Sequence, residues 1–258
     1  MSEIIVTPLG TVSPYTKDNM NCPGYLINYN NQRILLDCGN GITRLLNFPD
    51  DLENLHVIVT HYHKDHFGDL GALQYASFVY HNLGLIKDKI KIYLPKNEYG
   101  FNKASILSNK DSYAEYIDID DKTRVQIDDL TISFEDNHSH TIESFMVKLE
   151  NGEKKVIYTS DIGTTNFNGL IEFCRDADLI ICESSFLERH NANSKTHMTA
   201  SSASLLASNA KAKELLLTHF WPEEDKTLYL EEAKRGYENV SVAEEGKSLV
   251  LRPKGKLK

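Results

Sequence analysis

The run HYHKDHFGD, residues 61–69, follows directly on the apolar run HVIVT, residues 56–60. Three histidines and one aspartate fall within the six positions from His61 to His66. This juxtaposition limits what the chain can fold into. HVIVT reads as a short buried strand. The imidazoles after it must then lie in a loop at the strand's C-terminal end, where α/β proteins tend to place their sites. His61 and His63 are two apart, so an extended backbone points both the same way. Asp65 and His66 come after the chain turns and face a different point. One short loop can thus supply two ligands to each of two metal ions, which a polar loop with incidental histidines would not be built to do.

The rest of the chain supplies a scaffold of the matching type. Short β-branched runs predict strands at 4–7, 33–37, 56–60, 91–94, 131–134, 144–149, 155–160, 178–183, 214–218 and 248–251. Helical spacing predicts helices from Gly71 to Leu83, Phe167 to Arg175, Thr199 to Ala212 and Lys226 to Gly236. Thr199 and Ser201 are candidate caps for the third helix. The first half is rich in strands and turns, and the second is closer to strand–helix alternation. No linker rich in Pro, Gly or Ser interrupts the 258 residues, so residues 1–258 read as a single α/β domain of sheets covered by helices. Two related strand–helix halves would fit. The segment from Asn97 to Lys122 is polar and irregular, and reads either as a border of the site or as a surface excursion.

Composition narrows the function. A formal net charge of -9 argues against a general nucleic-acid binder. The basic end LRPKGKLK reads as a solvated tail. No apolar run approaches the roughly 20 residues needed to span a bilayer, and MSEIIVTPLG lacks the pattern of a signal peptide. Cys22, Cys38, Cys174 and Cys182 form no CxxC pair, which suits reduced thiols in a cytoplasmic protein.

A metal ion needs more ligands than one loop provides. Asp161 ends the apolar run KVIYTS, His219 ends ELLLT, and His140 precedes the run SFMVKL. His138 competes with His140, and chemistry alone does not separate them. His56 and His81 read as ordinary packing or surface residues. The donors are nitrogen and oxygen with no thiolate, a set that suits Zn2+ and admits Mn2+ or Fe. Two such ions about 3.5–4 Å apart would bridge a water and lower its pKa toward about 7, giving a hydroxide nucleophile. They would also make the pocket far more positive than the net charge suggests, which favours a small anionic substrate.

The constellation resembles the metallo-β-lactamase superfamily of metal-dependent hydrolases. HYHKDHFGD resembles its HxHxDH signature, DCGNG (37–41) its early strand–turn motif, and YTSDIG and LTHF its later ligand motifs in the expected order. The resemblance covers nearly the whole chain. It implies a four-layer αββα sandwich, two mixed sheets covered by helices, with a dinuclear site. Carried onto matching positions, it implies that His61, His63 and His140 bind one ion, that Asp65, His66 and His219 bind the other, and that Asp161 bridges them. His140 is preferred because HTIESFMVKL resembles the HTVxSxGY-type segment of ribonuclease Z-like members.

That phosphodiesterase subgroup is the one resembled most. CESSF (182–186) looks like its glutamate segment and KTHMTAS (195–201) like its Hx[ST] segment. The resemblance implies that His197 contacts the scissile phosphate or protonates the leaving oxygen, that Glu183 orients His197, and that Asp65 holds the nucleophile's proton. It further implies a homodimer. Only 20 residues separate His140 from Asp161, too few for the arm that tRNA-processing members carry there. The expected substrate is therefore a small phosphodiester, a cyclic nucleotide or short oligonucleotide, rather than tRNA. A lactonase or thioesterase with the same metal core is the alternative, and a non-catalytic metal- or RNA-binding protein is a second.

Overall fold

The computed structural model describes residues 2–109, 112–192 and 195–253. In chain order its elements are β1 Ile4–Gly10, β2 Gly24–Tyr29, β3 Gln32–Leu36, β4 Leu55–Ile58, α1 Lys64–Phe67, α2 Leu70–Asn82, β5 Ile90–Pro95, α3 Asn102–Leu107 and β6 Ala114–Ile119. These are followed by β7 Arg124–Ile127, β8 Leu130–Asp136, β9 Phe145–Glu150, β10 Lys155–Tyr158, α4 Phe167–Cys174, β11 Leu179–Glu183, α5 Ala200–Asn209, β12 Leu215–Thr218, α6 Lys226–Ala233, β13 Val240–Val242 and β14 Leu249–Leu251. The chain clusters into two compact units, one of Ser2–Ile119 with Glu245–Val250 and one built mainly of Asp120–Glu244.

The first unit holds a seven-stranded sheet in the order β14-β1-β2-β3-β4-β5-β6. β1, β2 and β3 pair antiparallel, whereas β3 to β6 run parallel. All four residues of β4, LHVI, are buried. A parallel strand covered on both faces needs such an unbroken run rather than alternation. Helix α2 is fastened to β6 and its approach: Gln74 Nε2 donates to Tyr116 Oη at 2.7 Å, and Ser77 Oγ donates to Tyr113 O at 2.8 Å.

The second unit repeats the scheme with the order β13-β12-β11-β10-β9-β8-β7. β7 to β10 are antiparallel, and β10 to β13 are parallel. β11, LIICE, is buried at every position. Ile157, Ile180, Cys182 and Leu217 form a core with Leu170 and Phe173 of α4 and with Ala203, Leu206 and Ala207 of α5. The alanines let α5 lie close to its neighbours. Truncating a residue such as Leu217 would cost about 2–5 kcal/mol, the usual range for a buried leucine.

Each of the strands and helices read from sequence is present. β2, β6, β7 and β13 are additional, as are the short helices α1 and α3. The supposedly irregular stretch after Asn97 thus holds two regular elements, α3 and β6; Lys110 and Asp111 fall outside the described residues. HVIVT and KVIYTS stop pairing as strands at Ile58 and Tyr158, two residues sooner than predicted. The basic tail lies outside the described residues from residue 254 onward.

Candidate metal centre

In the first unit the chain leaves β4, bends at His61 and is extended at His63 (φ -77°, ψ 142°) before α1 begins. The His61 and His63 rings lie close together, with centroids 4.8 Å apart. Asp65 and His66 lie on α1, and the His66 ring sits 4.0 Å from that of His61. His61, Asp65 and His66 are buried. The four predicted residues of this loop are thus gathered at the end of one strand.

The DCGNG turn holds that loop in place. Asp37 is fully buried, and its Oδ2 accepts from His66 Nδ1 at 2.7 Å. Its Oδ1 accepts from Thr60 N at 2.8 Å, and Thr60 Oγ1 donates to both carboxylate oxygens at 3.0 Å. Cys38 N donates to His66 O at 2.8 Å. Gly39 is required here, because a Cβ on it would lie 2.1 Å from Asp65 O. From another segment Ser13 Oγ donates to Asp65 Oδ2 at 2.8 Å. Neither Asp37 nor Ser13 was singled out as a site residue from sequence. The DCGNG motif was the available signal for the first, and Ser13 left none.

The second unit gathers the other predicted residues at strand ends. Asp161 follows β10, Glu183 ends β11 and His219 follows β12. His219 Nε2 lies 2.9 Å from Asp161 Oδ1, and His140 Nε2 lies 3.8 Å from Asp161 Oδ2. Asp161, His197 and His219 each offer a ligand atom within 4.8 Å of the others. Ser160 and His219 both take left-handed backbone conformations (φ 54° and 61°), which turn the chain sharply out of its strand. Non-glycine residues adopt that region rarely, and such positions cluster at functional sites.

His138 and His140 differ in what each touches. The His138 side chain is 65% exposed and pairs with Asp136 at 3.2 Å. The His140 side chain is 1% exposed and faces Asp161. Asn137 makes the difference: its Oδ1 accepts from Ser139 N and His140 N, while its Nδ2 donates to Ser144 O and Asp161 O. The histidine loop is thereby tied to the aspartate loop.

His197 lies beside this cluster. Its Nδ1 is 2.8 Å from Glu183 Oε1. Glu183 is itself fixed, because Oε1 accepts from Ile162 N at 3.0 Å and Oε2 accepts from Ser185 N at 3.1 Å and Ser185 Oγ at 2.7 Å. Ser185 Oγ also lies 2.9 Å from His219 Nδ1, so the ring N–H can donate to the hydroxyl and the hydroxyl to the carboxylate. Burial works against a charged His197, but the charge and hydrogen bond of Glu183, with Asp161 beyond, outweigh it and raise the pKa. For His140 burial prevails over Asp161, and the pKa is lowered.

The donor set fits divalent metal ions. Nδ1 of His66 faces Asp37, that of His140 faces Thr196 O at 3.1 Å, and that of His219 faces Ser185. In each ring the second nitrogen, Nε2, faces a carboxylate of the cluster, Asp65 for His66 and Asp161 for His140 and His219, the orientation that outer partners impose on metal-binding histidines.

The profile of the Beta-lactamase superfamily domain matches residues 32–220. The "Probable metallo-hydrolase YhfI" of Bacillus subtilis is 30% identical over 215 residues, which is 83% of this chain and 86% of that protein. A "Ribonuclease Z" of Archaeoglobus fulgidus is 26% identical over 308 positions, covering 95% of this chain and 96% of its own. The crystal structure of YhfI, a metallo-beta-lactamase fold protein, superposes with a TM-score of 0.85 at 26% identity, over 97% of this chain and 100% of that one. The chain belongs to the metallo-β-lactamase superfamily. It has that superfamily's α/β sandwich fold and is a hydrolase, with His/Asp groups that could hold a metal ion. Among the described residues no helix is long and apolar enough to cross a membrane.

Proposed function

We propose that the protein is a phosphodiesterase that holds two divalent ions, with zinc the metal the donor set suits best. In this reading His61, His63 and His140 would hold one ion, Asp65, His66 and His219 the other, and Asp161 would be shared between them. When bound, the ions supply an activated water and offset negative charge at phosphorus.

The observation that carries the reading is the pairing of His197 with Glu183. Metal ligands are common to phosphodiesterases, lactonases and thioesterases on this fold. A histidine held by a buried carboxylate and set beside the Asp161–His219 pair adds a proton donor for an alkoxide leaving group. Glu183 fixes the Nδ1 proton, turns Nε2 away from itself and favours the charged ring. Asp65, oriented by Ser13, accepts the proton of the nucleophile. General acids of this kind contribute about 10²–10⁴-fold.

The substrate is a small phosphodiester rather than tRNA. Between His140 and Asp161 the chain makes only β9, a turn closed by Asn151 N donating to Lys154 O, and β10. The alignment to the Archaeoglobus ribonuclease Z runs over 308 positions, more than the 258 residues available here, so that relative carries segments without a counterpart in this chain. The four cysteines are all free, which accords with a cytoplasmic location. Exposed Tyr75, Leu83 and Leu85, on and just beyond α2, support a homodimer.

Hydrolysis of bis(p-nitrophenyl) phosphate, measured side by side with a homoserine lactone and a thioester, tests the reading. Turnover of the phosphodiester supports it. Turnover confined to the lactone or thioester would replace it with the alternative.

A further inference from the structure

Two aromatic rings in the first unit stand outside the machinery described so far. Tyr99 and Phe101 flank Gly100 at the tip of the loop between β5 and α3, and they are 44% and 88% exposed. An 88% exposed phenylalanine has no packing role of its own. The loop is nevertheless well anchored. Tyr99 O accepts from Asn102 N at 3.2 Å across a turn in which Gly100 has φ +61°. Glu98 accepts from Lys103 N at 2.6 Å and Ala104 N at 3.0 Å. Lys103 Nζ donates to Lys96 O at 2.9 Å, closing the base of the loop. Asn102 Nδ2 donates to Tyr62 O at 2.9 Å, which ties the loop to the backbone between His61 and His63. The Tyr99 ring then stands edge-on to His63, with centroids 6.0 Å apart at 81°. A Cβ on Gly100 would meet nothing within 4 Å, so the space over the tip is open.

From this geometry we infer that Tyr99 and Phe101 form a platform for a planar aromatic ring attached to the substrate phosphate, a nucleobase or a plain aryl group. The inference rests on the reading of His63 as a metal ligand in a phosphodiesterase. Aromatic side chains hold bases by stacking, and that contact tolerates any base because each presents a π-face. The loop's clamps keep the rings in place before substrate arrives, which lowers the ordering needed on binding. A ring seated there lies next to His63, and its phosphate can reach the metal loop. Tyr99 and Phe101 select the substrate; they do not take part in bond breaking.

The test uses the zinc-loaded full chain, wild type and the variants Y99A, F101A and the double variant. Each is titrated with AMP, phenyl phosphate and ribose 5-phosphate, and zinc content checks that the metal loop is intact. Wild type is expected to bind AMP and phenyl phosphate about ten- to a hundredfold more tightly than ribose 5-phosphate, the range of one stacking contact. The double variant is expected to lose most of that preference. The order of AMP and phenyl phosphate identifies the source of the ring. Equal affinities for all three ligands in wild type, or a preference that survives in the double variant, would overturn the inference. The titrations need no turnover. A parallel assay with thymidine 5′-p-nitrophenyl phosphate and methyl p-nitrophenyl phosphate reads the phosphodiesterase proposal separately, since a wild type that hydrolyses neither ester defeats that proposal and leaves the platform to be judged by binding.

Discussion

His197 and Glu183 are where the chemistry is most open to test by single changes. H197A should lower kcat on a phosphodiester with an alkoxide leaving group by about 10²–10⁴-fold. E183Q keeps the volume but removes the charge that raises the His197 pKa. If the protonated ring is the donor, activity falls as pH rises through that pKa, so the alkaline limb of the kcat profile should move to lower pH in E183Q. A limb that stays put would mean that another group donates the proton. Asp37 acts through His66. D37N suits the left-handed backbone at that position (φ 60°) but removes the charge and one of the two accepting oxygens, so it should weaken metal binding by about 10–100-fold in a chelator competition. Sequence revealed the HxHxDH residues because they crowd into one loop. Asp37 and Ser13 act on that loop from other segments, and no local spacing records such contacts.

His56 gives a residue-scale prediction of another kind. It is buried, stacks on Tyr93 and shares a 2.9 Å hydrogen bond with Tyr93 Oη. Burial, with Lys91 nearby, lowers its pKa to about 4. The unfolded chain then binds the proton near the ordinary histidine value while the folded one does not. Stability is complete above about pH 6.5 and declines as pH falls toward about 4. In H56F the difference from wild type should therefore narrow across that window, as read by denaturant midpoints at several pH values.

At the scale of elements, α5 matters because His197 lies just before its start. Thr199 Oγ1 accepts from Ser202 N at 3.0 Å, and Glu232 Oε1 accepts from Ser201 N at 3.0 Å. T199A should cost about 1 kcal/mol and lower Tm by about 2–4 °C in a chain of this size. This cap was visible in the sequence, as were the buried strands that carry the candidate site residues, since continuous apolar runs mark them. The strands that were not visible are mostly margins of sheets. β6 ends one sheet, and β7 and β13 are the two edges of the other. AEYIDI and RVQI carry charged and polar residues because an edge strand has fewer neighbours to pack against. β2 lies inside its sheet, but GYLINY opens on glycine and interrupts its apolar run with asparagine, which reads as a turn.

At the scale of the whole molecule, the order of motifs along the chain made the fold legible before the strand count was known. Asp161, Glu183 and His219 each close or follow an apolar strand, so the parallel pairing of β10, β11 and β12 brings them to one edge of the sheet. The 258 residues are enough for two seven-stranded sheets without the segments that longer relatives add. The central claim is that these strand ends serve a dinuclear metal site with phosphodiesterase activity. Metal content per chain, measured with bis(p-nitrophenyl) phosphate hydrolysis on the same preparation and with H61A as control, tests it most directly. The account predicts about two divalent ions per wild-type chain and turnover that is lost in H61A. A wild type that binds no metal, or a His61 variant that keeps full metal and full turnover, would contradict it.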